Sequence, residues 1–304
     1  MTPPIDRLQS VFDRFRNTGP AGWWRAITSQ ISAKYQYKWT RPYLNLRYFR
    51  QCLEYTAPAR PCQPVSVDPS TIESEVAVGD RRHEGLGQIV PGSWDEDIRP
   101  IQKHTTVIGL RERFEEGRAW ENTVYWEETK RIIDEKGSRW GHPTLEDFKD
   151  VRCSYLDAMY AQMTESGYVH RPRETIEYKD GSTGRGTTGY TGRKPWHRFE
   201  PILCIGKTGE PLLWDGRHRI TIARIAGVDT VPTNILIRHA GWQGIRDDIA
   251  NTISDGRNPS EQPQFQSHPD LDDITCRSGR DPRDIKSSIA VGILGCPPWS
   301  KAFS

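Results

Sequence analysis

The sequence predicts an α+β fold: a mixed-sheet core, a helical insertion within it, and a basic helical arm at the N-terminus. Three observations carry this. Short apolar runs bounded by Gly and Pro alternate with a helix over residues 199–239. Three helix-length segments stand together over about 106–166. The first 50 residues hold nine Lys and Arg against two acids, Asp6 and Asp13.

At 304 residues the chain has room for one large domain or two ordinary ones. Charged residues make up 27% and the mean hydropathy is −0.73, yet eleven Trp and eleven Tyr remain to anchor a core. The net charge of +2 gives no global field to attract nucleic acid. No apolar run nears the roughly 20 residues that span a bilayer. The opening MTPPIDRLQS has no apolar stretch of a secretory signal. Six cysteines are scattered without a C-x-x-C pair, which argues against a disulfide framework or a structural zinc site. A cytoplasmic protein is expected, with membrane-peripheral attachment as the variant.

Ile5, Leu8, Val11, Phe12 and Phe15 recur at helical spacing, so residues 5–16 read as an amphipathic helix. Trp23 to Tyr55 interleaves aromatics with Arg and Lys. That pattern suits packing on the main domain with solvated cations, or an anionic surface of lipid or nucleic acid met by residues 1–60. Pro58, Pro61 and Pro64 end the arm, and Pro64–Ile72 reads as a strand entering a turn. The insertion predicts helices over 106–116, 121–136 and 144–165. They stop at Gly117, Gly137 and Gly167, and Thr144 caps the third with Asp147 three residues on. Leu145, Phe148, Val151, Tyr155, Met159 and Met163 form its expected apolar face. Glu174–Tyr178 suggests a strand, and the Gly-rich 181–193 lacks the Walker ending, so it reads as a mobile loop or a lid.

Pro201–Ile205 and Pro211–Trp214 are short apolar runs joined by the turn Lys207-Thr208-Gly209-Glu210, the pattern of a buried hairpin. Asp215-Gly216 starts a sharp turn into a helix with Ile220, Ile222, Ala223, Ile225 and Ala226 buried, ended by Gly227. Val231–Arg238 is the next strand. Backbone amides and the dipole at that helix start make an anion site, to which Arg217, His218 and Arg219 add cationic and hydrogen-bonding groups. Asp215 is placed to cap the helix, hold a phosphate-bound metal or orient a ribose.

Gly216-Arg217-His218-Arg219-Ile220-Thr221 through Ala226-Gly227 resembles the G-E-R-R-x-R-A-x-x-x-A-G segment of ParB partition proteins and the G-C-H-R motif of sulfiredoxins. The ParB/sulfiredoxin-like superfamily, which also contains a free-serine kinase, places nucleotide phosphates against this turn. The resemblance is close over about forty residues and implies phosphate binding by Gly216, Arg217, His218, Arg219 and Thr221. The helical insertion, Arg238-His239-Ala240-Gly241-Trp242 and the late His268-Pro269-Asp270-Leu271 resemble an uncharacterised subgroup. Arg217 stands where sulfiredoxins carry their cysteine and ParB its acid, so thiol chemistry is excluded there and ParB-style CTP hydrolysis is not implied. No DNA-reading helix-turn-helix follows the short helix near Trp242–Ala250.

The expected organisation is an arm over 1–60, a core domain over 61–250 and a polar extension over 251–304. The expected activity is that of a nucleotide-dependent phosphotransferase (kinase) on a small molecule. It would use ATP, ADP or CTP, with Mg2+ for the transfer. Candidate bases and catalytic acids are Asp68, Asp95, Asp97 and Asp215. Glu73, Trp94, His239, His268 and Asp270 are candidates for substrate contact or support. A protein metal site is not expected. The alternatives are a nucleotide-gated binding protein without turnover, and a ParB-like DNA-binding or nuclease protein.

Overall fold

The computed structural model describes residues 43–61, 63–77, 86–168, 200–257 and 268–275. The chain divides into two compact units, 1–47 and 48–304. Of the first, residues 43–47 are described, and they are helical. Helix α1 covers residues 43–54. The helix expected over 5–16, the aromatic stretch before residue 43, the strand 174–178 and the Gly-rich 181–193 lie outside the described residues. Everything below concerns the second unit.

Its centre is a seven-stranded mixed sheet. The strands are β1 Val65–Val67, β2 Ser74–Val76, β3 Gln88–Val90, β4 Ile98–Pro100, β5 Ile202–Ile205, β6 Pro211–Asp215 and β7 Val231–His239. Their order is β1-β7-β5-β6-β2-β4, with β3 also on β7. The long β7 organises the sheet. β1 pairs antiparallel with its first residues (Val65 with Thr233) and β3 parallel with its last (Val90 with His239). β5 runs parallel along it and turns back antiparallel into β6. β2 then lies parallel to β6, placing Glu75 beside Leu213, and β4 antiparallel to β2, placing Ile98 beside Val76. The sheet is mixed and open. β5 is buried on both faces, so Ile202 to Ile205 is apolar without alternation.

One face carries the helices. These are α2 Thr105–Phe114, α3 Val124–Lys136, α4 Leu145–Asp147, α5 Ser154–Ser166, α6 Arg217–Ile225, α7 Ala240–Ser254 and α8 Asp272–Thr275. Leu203, Ile205, Leu213, Ile220, Ile222, Leu110, Tyr125, Phe148, Leu156 and Trp242 fill the space between. The other face is a smaller cluster of Val76, Ile202, Cys204, Leu212, Leu236 and Ile237, partly covered by Trp94 and Trp214.

The helix starts follow the capping chemistry. Thr123 accepts the Trp126 N–H at 3.3 Å, and Thr144 accepts that of Asp147 at 3.1 Å. Gly109 lets α2 ride directly on Tyr125 of α3, where a Cβ would collide with that residue's backbone and Cβ. The third expected helix differs from a continuous one. Residues Phe148–Cys153 form a π turn between α4 and α5. A π turn holds one residue more than an α turn, so the buried face steps on by one position. Arg152 and Cys153 are buried where Val151 was expected, and Leu156 where Tyr155 was.

The polar extension expected from residue 251 also contributes to this unit. Leu271 and Ile274 join the main core, and Asp270 is buried under β7 and α7.

Candidate functional site

β6 ends at Asp215 and the chain turns at Gly216, with φ 101°. A Cβ there would stand 2.8 Å from Cβ and 2.9 Å from Cα of Pro201, so the turn is closed to side chains. Helix α6 begins at Arg217. No side chain caps its start; the Asp215 carboxylate instead accepts the N–H of Gly216 at 2.8 Å. The first turn of a helix carries amides that its own carbonyls cannot satisfy, together with the positive end of the dipole.

The side chains of that turn are engaged within the protein. Arg217 Nε donates to Glu75 Oε2 at 2.9 Å, and its Nη2 reaches the same carboxylate. The pair is only partly covered. Arg219 lies 3.6 Å from Glu200 Oε2 and 3.5 Å from the Tyr168 hydroxyl, which donates to Glu200 at 2.5 Å. Thr221 is buried. The His218 ring stands edge-on to Tyr125 and Trp140 at 5.7 and 5.3 Å, and its Nε2 is 3.0 Å from the Tyr125 hydroxyl. Burial, with Arg152, Arg139 and Arg217 nearby, holds its pKa well below the usual histidine value. His218 is therefore neutral. Burial likewise pushes the Tyr125 hydroxyl up to about 12, so it keeps its proton. Thus the two arginines expected to face a ligand each face a protein carboxylate, and the histidine is a neutral hydrogen-bonding group.

Among the other candidates Trp94, Asp95 and His239 lie together, with His239 Nε2 3.9 Å from Asp95 Oδ1. Asp68 caps the 3-10 turn Pro69–Thr71 by accepting the Ser70 N–H at 2.7 Å, a contact that lowers its pKa. Arg224, from the last turn of α6, donates to the carbonyls of Pro69 at 2.8 Å and Ile72 at 2.5 Å. The loop after β1 is thereby tied to the far end of α6, with Glu73 at its close. Asp95, between β3 and β4, accepts the N–H of Lys207 in the β5–β6 turn at 2.7 Å. Trp94 donates to Val90 O at 3.2 Å and lies over the smaller core cluster, 5.9 Å from the His239 ring.

His239, His268 and His104 share one role. His239 Nδ1 accepts the Gly241 N–H at 2.9 Å at the start of α7, so Nε2 carries the hydrogen donated to Gly92 O at 2.6 Å. His268 Nδ1 accepts the Asp270 N–H at 3.1 Å while Nε2 donates to Gly209 O at 2.8 Å. His104 Nδ1 accepts the Thr106 N–H at 3.1 Å at the start of α2. Each is a cap. Asp270 is wholly engaged by Arg238, Trp242 and Arg246.

Asp97 and Asp215 alone of the candidate acids are gathered near the turn. Both are exposed. β2 is parallel to β6 and antiparallel to β4, so Asp97, just before β4, lies beyond the same end of the sheet as Asp215. Two strand spacings, roughly 10 Å, separate β4 from β6.

Glu75, Tyr125, Trp140 and Arg152 escaped the sequence reading. They come from four segments, and no local motif joins them. Trp140 is the one non-glycine described residue with positive φ (52°), a strained conformation held between Arg139 and Arg152, whose guanidinium carbons stand 4.6 and 4.9 Å from its ring. An open depression lies at the other end of α6, between Met163–Tyr168 and Ala226–Thr230, away from this turn.

No family model, curated protein or solved structure matches the chain. Among the described residues no helix is long and apolar enough to cross a membrane, and no three His, Cys, Asp or Glu side chains gather to hold a metal ion. Cys52, Cys153 and Cys204 are not in disulfides.

Proposed function

We propose that this chain binds a nucleotide with its phosphates against the first turn of α6 and acts as a nucleotide-dependent phosphotransferase on a small molecule. The observation that carries the reading is the helix start itself: Gly216 in a left-handed turn with no room for a side chain, followed by amides that no side chain caps. Arg217, held by Glu75 yet partly accessible, stands ready to turn its remaining donors to a phosphate oxygen. Asp97 and Asp215 supply carboxylates at the same end of the sheet, one to take the acceptor's proton. Two separated carboxylates suit Mg2+ that enters on the phosphates better than a protein-made cage. Its chemistry would be neutralisation of phosphate charge.

Calorimetric titration with ATP, ADP and CTP, with and without Mg2+, tests the reading directly. Arg217→Ala is expected to lose tenfold or more in affinity. Absence of binding by all three nucleotides would overturn the proposal. Binding without turnover would support a nucleotide-gated binding protein instead, a reading favoured by the structural roles of Asp68 and Asp95.

A further inference from the structure

Arg152 is a buried cation near the turn whose charge the described residues do not explain. It enters from the π turn Phe148–Cys153 and is 8% exposed. Its neighbours of the same charge are compensated, Arg139 by Glu128 at 2.8 Å and Arg217 by Glu75. Arg152 has no such carboxylate among the described residues, and its Nε has no hydrogen-bond partner. What surrounds it is aromatic: Trp140 at 4.9 Å and Tyr155 at 5.5 Å from the guanidinium carbon. A buried cation with an idle donor is costly unless an anion completes it.

The position of the charge says which anion site it belongs to. The Arg152 guanidinium packs on Trp140, whose ring stands 5.3 Å from that of His218 in the first turn of α6. The Tyr125 hydroxyl is fully buried and needs an acceptor for its own hydrogen, and His218 Nε2 at 3.0 Å is that acceptor. The neutral imidazole then bears its hydrogen on Nδ1, a donor with no partner among the described residues. Two idle donors, Arg152 Nε and His218 Nδ1, thus belong to side chains that share the Trp140 ring, and His218 sits in the uncapped first turn of α6.

We infer that Arg152 and His218 form an oxyanion subsite for a phosphate group, which in the nucleotide reading is the terminal phosphate. The inference rests on that reading for the identity of the ligand, but its anion chemistry is measured separately. Arg152 supplies the charge, His218 a neutral donor oriented through Tyr125, and the start of α6 the remaining amides. Trp140 walls the cation from solvent on one side.

The test titrates the full chain with inorganic phosphate and with ATP, comparing wild type, Arg152→Met and Arg152→Lys. Wild type is expected to bind both, and Arg152→Met to lose at least tenfold for each. In phosphate-free buffer Arg152→Met is expected to melt at or above the wild-type temperature, because it removes an uncompensated buried charge. Phosphate should raise the melting temperature of wild type and not of the variant. Unchanged phosphate affinity in a folded Arg152→Met overturns the subsite and leaves nucleotide binding standing. Phosphate binding that depends on Arg152 in a chain that ignores nucleotides upholds the subsite and sinks the nucleotide reading. Failure of wild type to bind either overturns both. Should Arg152→Met not fold, Arg152→Lys decides: it keeps the charge and loses the planar fork, so a drop of threefold or more is expected, and no drop overturns the subsite.

Discussion

Arg238 and Asp270, 32 residues apart, form a two-pronged ion pair at 3% and 1% side-chain exposure. Arg238 Nε donates to both carboxylate oxygens at 2.9 and 3.2 Å, and Trp242 Nε1 adds a third donor at 2.9 Å. Arg246, also fully buried, reaches Asp270 and then Asp273 at 2.9 Å. The cluster anchors residues 268–275 to the end of β7. Asp270→Ala leaves two buried guanidinium groups short of a partner, a loss of about 3–5 kcal/mol. Denaturant unfolding should show it as a lower midpoint with an unchanged slope; a loss below about 1 kcal/mol would mean that the late segment is not anchored there.

The same aspartate sets the acid limit of the fold. Burial alone would raise its pKa, but Arg238, Arg246 and Trp242 outweigh burial and hold it well below the ordinary range. Its contribution is therefore complete above the unfolded aspartate value near 4 and is lost only as pH falls below that toward the folded value. Stability of wild type minus that of Asp270→Asn should be flat from pH 7 to about 5 and shrink below about 4.

Histidines act at higher pH. Burial lowers the pKa of His104 and His268, and burial with neighbouring arginines lowers that of His218. Around His268 stand Asp270, Arg246, Asp272 and the Trp242 ring. A group whose folded pKa lies below its unfolded one stabilises the fold fully above the unfolded value, near 6.5, and loses that contribution as pH falls toward the folded value. Each such histidine adds up to about 1.4 kcal/mol per pH unit in that window. Stability should fall between pH 6.5 and 5, and His268→Asn, which keeps a capping acceptor, should flatten the fall. An unaltered slope would remove His268 from the account.

The hairpin and the helix after it were readable because their signals are local. Ile202–Ile205 and Pro211–Asp215 are apolar runs separated by Gly206 and Gly209, and the turn at Gly216 tolerates no side chain. β2 and β4 were not readable, since three residues each, such as Ser74-Glu75-Val76, show no period. Glu75 was passed over for Glu73 for that reason: only the register with β6 brings it to Arg217. Arg152 was hidden differently. On a regular helix it is one more charged residue, and only the π turn carries it inward beside Tyr125 and His218. The histidines were ambiguous for another reason, because a capping imidazole and a ligand-binding one look alike in sequence.

Gly216→Ala separates the turn from the rest of the fold. Alanine at φ 101° is strained, and its Cβ would press on Pro201. The expected cost is about 1–3 kcal/mol. Relief requires the start of α6 to move, so nucleotide and phosphate affinity should fall tenfold or more even where the variant remains folded at 20 °C. Gly227→Ala is the control: it has positive φ as well, but no neighbour within 4 Å, and it closes the other end of α6. Its strain should lower stability and leave binding intact. Equal binding losses in the two variants would show that the α6 start has no special part in holding the anion.

Amide substitution of four aspartates distinguishes chemistry from architecture. Asp97 and Asp215 are exposed at the end of the sheet where α6 begins, whereas Asp68 caps the 3-10 turn by Arg224 and Asp95 holds the Lys207 amide. If a carboxylate takes the acceptor's proton, loss of that base lowers turnover by about 10²- to 10⁴-fold. Asp97→Asn or Asp215→Asn should produce this drop with nucleotide affinity changed by less than about threefold. Asp68→Asn, which keeps an acceptor for Ser70, should change neither. Asp95→Asn, which likewise keeps an acceptor for the Lys207 N–H, should change neither. Full turnover in both Asp97→Asn and Asp215→Asn would remove the general base from this end of the sheet. A phosphotransferase would then have to draw its base from outside the residues gathered at the turn, because the half-buried Glu75 and the buried Glu200 nearby are already paired with Arg217 and Arg219.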